Sequence, residues 1–119
     1  MKKDNVLKEK SFLFVVRIIS FYRFLVEKKK KFIMAKQILR SGTSIGAMVE
    51  EANQAERKAD FIHKLSIANK EANETHYRIR LLQASNTIQQ EAIPLLSDCE
   101  ELMRLLTAIF KSAKQNLVK

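Results

Sequence analysis

Apolar residues recur at helical spacing along most of this chain. The first such stretch runs from about Lys8 to Glu27, where apolar side chains at positions 15, 18, 19, 22, 25 and 26 are spaced for a helix. Other apolar residues, among them Phe14 and Phe21, widen the stripe well beyond one face. A helix that is apolar over most of its girth must be covered on several sides. One small bundle core cannot cover it all, so the pattern predicts self-association.

Three further helices follow from the pattern of apolar residues and helix breakers. The run Lys28–Lys31 ends the first helix, and the second covers about Lys31–Ala55. The third covers about Ala59–Ala84, and the fourth runs from near Glu91–Ile93 to about residue 116. Pro94 fits only the first turn of that helix. Short turns between long helices predict an all-α, antiparallel up-down-up-down four-helix bundle, with residues 1–119 as a single domain.

Both glycines of the chain lie inside the second predicted helix. Gly42 and Gly46 are four residues apart, and each costs about 1 kcal/mol relative to alanine in a helix interior. Together with Ser44 they form a low ridge that another helix can approach closely. We therefore predict that Gly42, Ser44 and Gly46, with Phe14 and Phe21, serve helix packing and contacts between copies of the chain.

Composition supports an intracellular helical protein. Of the 119 residues, 46% are apolar, with one proline, two glycines and no tryptophan, which favours helices over sheets. Cys99 is the only cysteine, so it cannot form an internal disulfide, and we expect it to be buried in a helix. The apolar stretch Phe12–Val26 contains two arginines and is shorter than the roughly 20 residues that cross a bilayer. We expect a cytoplasmic protein without a membrane segment.

The net charge of +9 is concentrated near the start of the chain. Residues 1–36 carry eleven Lys or Arg and three acids, whereas residues 37–119 carry eleven and ten. The predicted nucleic-acid-binding residues are Lys28, Lys29, Lys30, Lys31 and Lys36, extended by Lys2, Lys3 and the tail lysines 111, 114 and 119. Such lysines bind phosphate backbones of RNA or DNA with little sequence choice. The alternative is that these lysines bind nothing and form only a solvated corner of the bundle.

Catalytic and metal-binding chemistry finds no support in the sequence. A di-iron bundle needs two Glu-x-x-His pairs, whereas this chain offers only Asp60-x-x-His63, and His76 has no carboxylate three residues earlier. The hydroxyl residues between positions 41 and 44 lack a base and an oxyanion donor, and they are expected to bond to carbonyls of their own helix. We expect no enzyme activity, no metal and no cofactor.

Charged residues near the apolar face of the second helix need partners. Arg40, Glu50 and Glu51 lie there, and an unpaired ion would be costly. We expect ion pairs with the third helix or a neighbouring subunit, for example with Lys64 or Lys70. A binding pocket is the alternative.

Several segments resemble one protein family over nearly the whole chain. They are ILRSGTSIGAMVEEA at residues 38–52, DFIHKLSIA at 60–68, KEA at 70–72 and DCEEL at 98–102. The chain resembles the small four-helix-bundle proteins encoded in intervening sequences of bacterial large-subunit ribosomal RNA genes. It departs from their pattern at Met48, Arg57 and Arg78, where that family often has asparagine, serine and tryptophan.

The resemblance implies an antiparallel four-helix bundle that assembles into a ring, typically a homopentamer. The family is similar to accessory proteins of diversity-generating retroelements, whose basic pentameric barrels bind nucleic acid and a reverse transcriptase. The main hypothesis is therefore a non-enzymatic homo-oligomer that binds RNA or DNA, with a protein such as a reverse transcriptase as a possible partner. The second hypothesis is a protein-interaction scaffold without nucleic-acid binding, and a metalloenzyme is a distant third.

Overall fold

Four long helices make up this protein. A computed structural model describes residues 2–118, with the side chains of residues 5–116. The helices are α1 Lys2–Glu27, α2 Phe32–Asn53, α3 Lys58–Ala84 and α4 Ala92–Val118. The predicted all-α four-helix bundle is confirmed. Helix α1 begins about six residues earlier than predicted, since the inward stripe already includes Leu7, two turns before Phe14.

Each helix packs against two neighbours, in the order α1, α2, α3, α4 and back to α1. Residue numbers across each pair of neighbours run in opposite directions. Between α2 and α3, for example, Arg40 pairs with Glu74 whereas Glu51 pairs with Lys64. Between α1 and α4, Lys10 pairs with Glu101 and residue 17 with residue 98. Within the described residues α1 does not contact α3, nor α2 α4, so these pairs lie diagonally across the bundle.

One apolar core fills the space between the four helices. Its larger members are Leu7, Phe14, Ile18, Phe21, Leu25, Ile38, Ile45, Val49, Leu65, Ile79, Leu82, Leu102 and Leu106. The assignment of Phe14 and Phe21 to contacts between copies is corrected by this burial. These two residues are 1% and 6% exposed within the single chain, so almost none of their surface remains for a second copy.

The glycine ridge of α2 faces α1 of the same chain. A Cβ atom at Gly42 would stand 2.8 Å from Cγ2 of Ile18, and one at Gly46 would stand 2.8 Å from Cγ2 of Val15. The predicted close helix approach therefore occurs inside the bundle, which corrects its assignment to a contact between copies. Ser44 is half-buried, and its hydroxyl donates a 2.8 Å hydrogen bond to the carbonyl of Arg40.

Left-handed residues end the first and third helices. Asn86 has φ 62°, with Thr87 N donating to Leu82 O and Asn86 N to Gln83 O, the pattern of a Schellman cap. Lys30 has φ 57° in the turn after α1. The N-terminus of α3 has no side-chain cap. This agrees with the arginine at the N-cap position 57, where the family often has serine, a residue that can cap a helix.

The outward side of α1 remains apolar. We call Phe12, Leu13, Val16 and Ile19 the α1 face; all four are exposed, and Phe12 most of all at 66%. The sequence pattern indicated that α1 has more apolar side chains than one bundle core can cover. The uncovered ones are these four residues, and not Phe14 or Phe21. No helix in residues 2–118 has the length and hydropathy to span a membrane.

Candidate nucleic-acid interface

The lysine run occupies the turn between α1 and α2. Hydrogen bonds fix the backbone of this turn, and its lysine side chains are exposed to solvent. Lys28 N donates to Phe24 O at 2.9 Å, and Lys31 N donates to Leu25 O at 3.0 Å. The carbonyl of Lys31 then accepts a 3.0 Å hydrogen bond from Ala35 N in the first turn of α2. All four lysines from 28 to 31 are exposed. The turn therefore presents four cations on a fixed backbone.

The turn between α3 and α4 lies at the same end of the bundle, because successive helices run in opposite directions. We call residues 21–38 and 77–94 together the lysine end. Eight Lys or Arg side chains lie there against two acids, Glu27 and Glu91. The described residues 5–11, 49–64 and 107–116 at the opposite end carry seven cations and five acids. The excess positive charge is therefore concentrated at the lysine end.

The predicted extension of the lysine run by the tail is wrong. Lys111 and Lys114 lie in the last turns of α4, which ends at the opposite end of a bundle 50 Å long. The first turn of α1, with residues 2 and 3, is at that opposite end too. Lys119 lies outside the described residues. Lys36, one turn into α2, does belong to the lysine end and is exposed.

Carboxylates do not neutralise the lysine run. Among the described residues, none of the five lysines predicted to bind nucleic acid has an acid within ion-pair distance. The nearby Glu91 accepts a 3.2 Å hydrogen bond from Gln89 N. Hydrogen bonds from backbone amides, with a smaller contribution from the charge of Lys29, lower the pKa of Glu91. The five lysines are thus available to an anionic partner, whereas Arg78 of the lysine end lies 3.8 Å from Glu74.

The charged residues of α2 are mostly used to bind α3. Arg40 lies 3.3 Å from Glu71 and 3.5 Å from Glu74. Glu51 pairs with Lys64 at 2.9 Å, as expected, and their hydrogen bond and opposite charges raise the pKa of Lys64. Glu50 lies beside this pair in an open surface groove. Arg40 and Glu51 therefore form inter-helix pairs, whereas Glu50 forms no ion pair among the described residues.

The small hydroxyl residues of α2 bond to their own helix. Thr43 donates to the carbonyl of Leu39 at 2.7 Å, and Ser41 lies 3.5 Å from that of Ile38. Ser41 is buried and lies 2.8 Å from the hydroxyl of Thr75 on α3. The hydroxyls therefore contribute to packing between α2 and α3.

Comparison with known proteins adds the family. Residues 3–108 match the model of the 23S rRNA-intervening sequence protein family. The chain belongs to that family. A search of curated proteins found no match. A solved structure from Bacteroides thetaiotaomicron, described as a protein of unknown function from the S23 ribosomal protein family, is 54% identical. It aligns with a TM-score of 0.89 over 92% of this chain and 98% of that one.

Metal-binding groups in this family member do not converge. Within the described part of the chain, no three His, Cys, Asp or Glu side chains come close enough to hold a metal ion. His63 is exposed, and His76 lies 2.8 Å from Glu100 across α3 and α4. Cys99 is buried, as predicted, and its thiol lies 3.3 Å from the carbonyl of Ala72. Burial raises the pKa of this thiol to about 12.

Sequence reasoning missed several residues of the lysine end. Arg78 and Arg80, near the end of α3, reach it only because α3 runs antiparallel to α2. Arg78 donates a 3.4 Å hydrogen bond to the carbonyl of Gln37 on α2. Phe32, in the first turn of α2, is 53% exposed beside the lysines. In the predicted up-down bundle, the turn after α1 and the turn after α3 lie at the same end. Considering these two turns together would have found the arginines, but not the exposure of Phe32.

Proposed function

We propose that this protein is a non-enzymatic helical bundle that binds the phosphate backbone of RNA or DNA through its lysine end. The observation that carries the proposal is the local charge, eight Lys or Arg side chains against two acids. Lysine ammonium groups on a nucleic acid displace condensed counterions, and the released ions drive binding. Contacts to phosphate carry little sequence information. The proposed activity is therefore salt-dependent binding with weak sequence preference.

We further propose that copies of the chain associate through the α1 face into a homo-oligomeric ring, with five copies as the family resemblance implies. The α1 face leaves four large apolar side chains uncovered on one helix of the single chain. Contiguous exposed apolar surface of this kind marks interaction sites. Five copies at +9 each would carry about +45 on one particle. Repeated lysine ends would then bind one nucleic acid at several points, which raises avidity.

A matched pair of charge-reversal variants tests the nucleic-acid proposal. The first replaces Lys28, Lys29 and Lys31 by glutamate, and it keeps Lys30 because that residue has a left-handed backbone. The control replaces Lys58, Lys111 and Lys114, three lysines of the opposite end. We expect the first variant alone to lose most of its affinity for a labelled RNA and to flatten the dependence of log K on log salt by about 2 to 3.

Equal losses in the two variants would mean that only the total charge matters. Unchanged affinity in the first variant would remove the lysine end as the binding surface. Circular dichroism of both variants checks that the helices are intact.

The second candidate function is a protein-interaction scaffold without nucleic-acid binding. The α1 face favours it, because an exposed apolar face fits a protein partner, such as a reverse transcriptase, as well as a second copy. This candidate predicts that a partner bound to the wild-type chain is lost on Val16→Glu and is retained in the Lys28, Lys29 and Lys31 variant.

A further inference from the structure

We propose that the lysine end binds single-stranded nucleic acid in preference to duplex, with Phe32 as the platform on which an unpaired base stacks. This inference rests on the proposed nucleic-acid function and adds the kind of strand. The starting observation is that Phe32 is 53% exposed and follows the four lysines directly in sequence. A large aromatic side chain half in water at a basic surface offers a stacking surface that the core of the bundle does not use.

The position of Phe32 directs its ring toward the lysine end. Phe32 is the first residue of α2. The Cα–Cβ bonds of a helix tilt toward its N-terminus, and the N-terminus of α2 lies at the lysine end. Ile33 and Ile93, the latter in the first turn of α4, are 75% and 58% exposed at the same end. The lysine end therefore exposes apolar side chains as well as cations.

The ring of Phe32 differs from the other aromatic rings near this end. Lys29 lies over the ring of Phe24 at 5.8 Å, and Arg80 lies over that of Tyr77 at 5.7 Å. Among the described residues, no aromatic or cationic contact involves Phe32. A ligand can therefore cover this ring without displacing a cation of the chain.

Phosphate contacts alone do not distinguish strands from duplexes, because both present a charged sugar-phosphate backbone. Stacking does distinguish them, because the bases of a duplex are already stacked on each other and the bases of a single strand are open to a new partner. An aromatic side chain on a basic surface is the combination that single-strand-binding proteins use. Phe32 next to Lys31 and Lys36 supplies that combination.

A tryptophan reporter tests this inference directly. The chain has no tryptophan, so Phe32→Trp introduces one fluorophore at the proposed platform. Thr107→Trp is the matched control, since Thr107 is also exposed but lies on α4, outside both the α1 face and the lysine end. A short mixed-sequence RNA strand, alone and annealed to its complement, is titrated into each variant. We expect the single strand to quench the Phe32→Trp emission. The duplex should change that emission little, and neither RNA form should change the emission of the Thr107→Trp control.

Phe32→Leu gives the affinity measurement. Leucine keeps an apolar side chain but removes the stacking surface, so we expect about tenfold weaker binding of the single strand and unchanged binding of the duplex. Helicity and particle mass should equal those of the wild type. Equal affinity for strand and duplex, or binding of the strand that leaves the Phe32→Trp emission unquenched, would overturn the inference while leaving the phosphate-binding proposal intact.

An experiment with vesicles tests the remaining alternative. In that alternative the lysine end binds an anionic bilayer, and Phe32 and the two isoleucines enter the membrane interface. A blue shift of Phe32→Trp emission on phosphatidylserine vesicles, without quenching by the RNA strand, would overturn the inference in favour of a lipid surface. Absence of salt-dependent binding to either RNA form would instead refute the proposed function, and the inference with it.

Discussion

The Cα atom of Gly42 lies so close to Ile18 that a methyl group at position 42 would meet Cγ2 of Ile18 at 2.8 Å and Cγ1 at 3.0 Å. Ile18 is fully buried in the core. It therefore cannot move aside without disturbing the packing of α1. The glycine allows α1 and α2 of one chain to approach closely, at the expense of helix propensity in α2.

Gly42→Ala is expected to destabilise the protein. Overpacking a filled core costs roughly 1–3 kcal/mol, and the gain in helix propensity offsets about 1 kcal/mol of this, which leaves a net loss of about 1 kcal/mol. Gly46→Ala should cost less, because its only contact below 3.9 Å is with Cγ2 of the half-buried Val15. Urea unfolding measures both variants. In an Ile18→Ala background the Gly42→Ala loss should disappear, and persistence of the loss there would show another cause.

The two left-handed residues should respond differently to glycine. Lys30 (φ 57°) has a side chain that disfavours this backbone, whereas Asn86 (φ 62°) tolerates it better. Lys30→Gly should therefore raise the free energy of unfolding by about 1 kcal/mol, and Asn86→Gly by a few tenths at most. Thermal or urea unfolding at high salt, which screens the lost lysine charge, provides the comparison. A destabilised Lys30→Gly variant would contradict the backbone assignment.

Cys99 should be unreactive in the folded protein and should make stability depend on alkaline pH. Burial raises its pKa from 9.0 to about 12. Because the folded state holds the proton more tightly, the stabilisation is complete below about pH 9 and is lost as the pH rises toward 12. Between about pH 8 and pH 11 we expect wild type to lose on the order of 2 kcal/mol more than Cys99→Ala.

Urea midpoints at the two pH values measure this difference, and Cys99→Ala controls for lysine and tyrosine titration. A thiol reagent at about pH 8 should modify Cys99 only after unfolding. Rapid labelling of the native protein would show that the thiol is accessible.

A charge on the α1 face should break the proposed assembly without unfolding the bundle. Val16→Glu places a carboxylate at the centre of the face, where 47% of the side chain is exposed in the single chain. Thr107→Glu, on the exposed side of α4, is the control. Light scattering should give an oligomer for wild type and the control, and a single chain for Val16→Glu. A wild type that is monomeric at micromolar concentration would refute the assembly proposal.

Almost the whole fold could be predicted from the sequence alone. Apolar periodicity, the lysine turn and Pro94 together located all four helices, and only the start of α1 was misplaced by more than a turn. The charge run at residues 28–31 was likewise visible as a candidate site. These features are local, because helix spacing and turn chemistry depend on residues within a few positions of each other.

Tertiary structure decided which side of each helix faces which neighbour. Helix α1 is apolar almost all round, so its periodicity could not tell that Phe14 is inside and Phe12 outside. Nor could spacing tell that the helix above Gly42 belongs to the same chain, or that Lys111 lies at the opposite end of the bundle from the lysine turn. These outcomes depend on the register between helices, which is fixed when the four faces are packed together and is not encoded in any one segment.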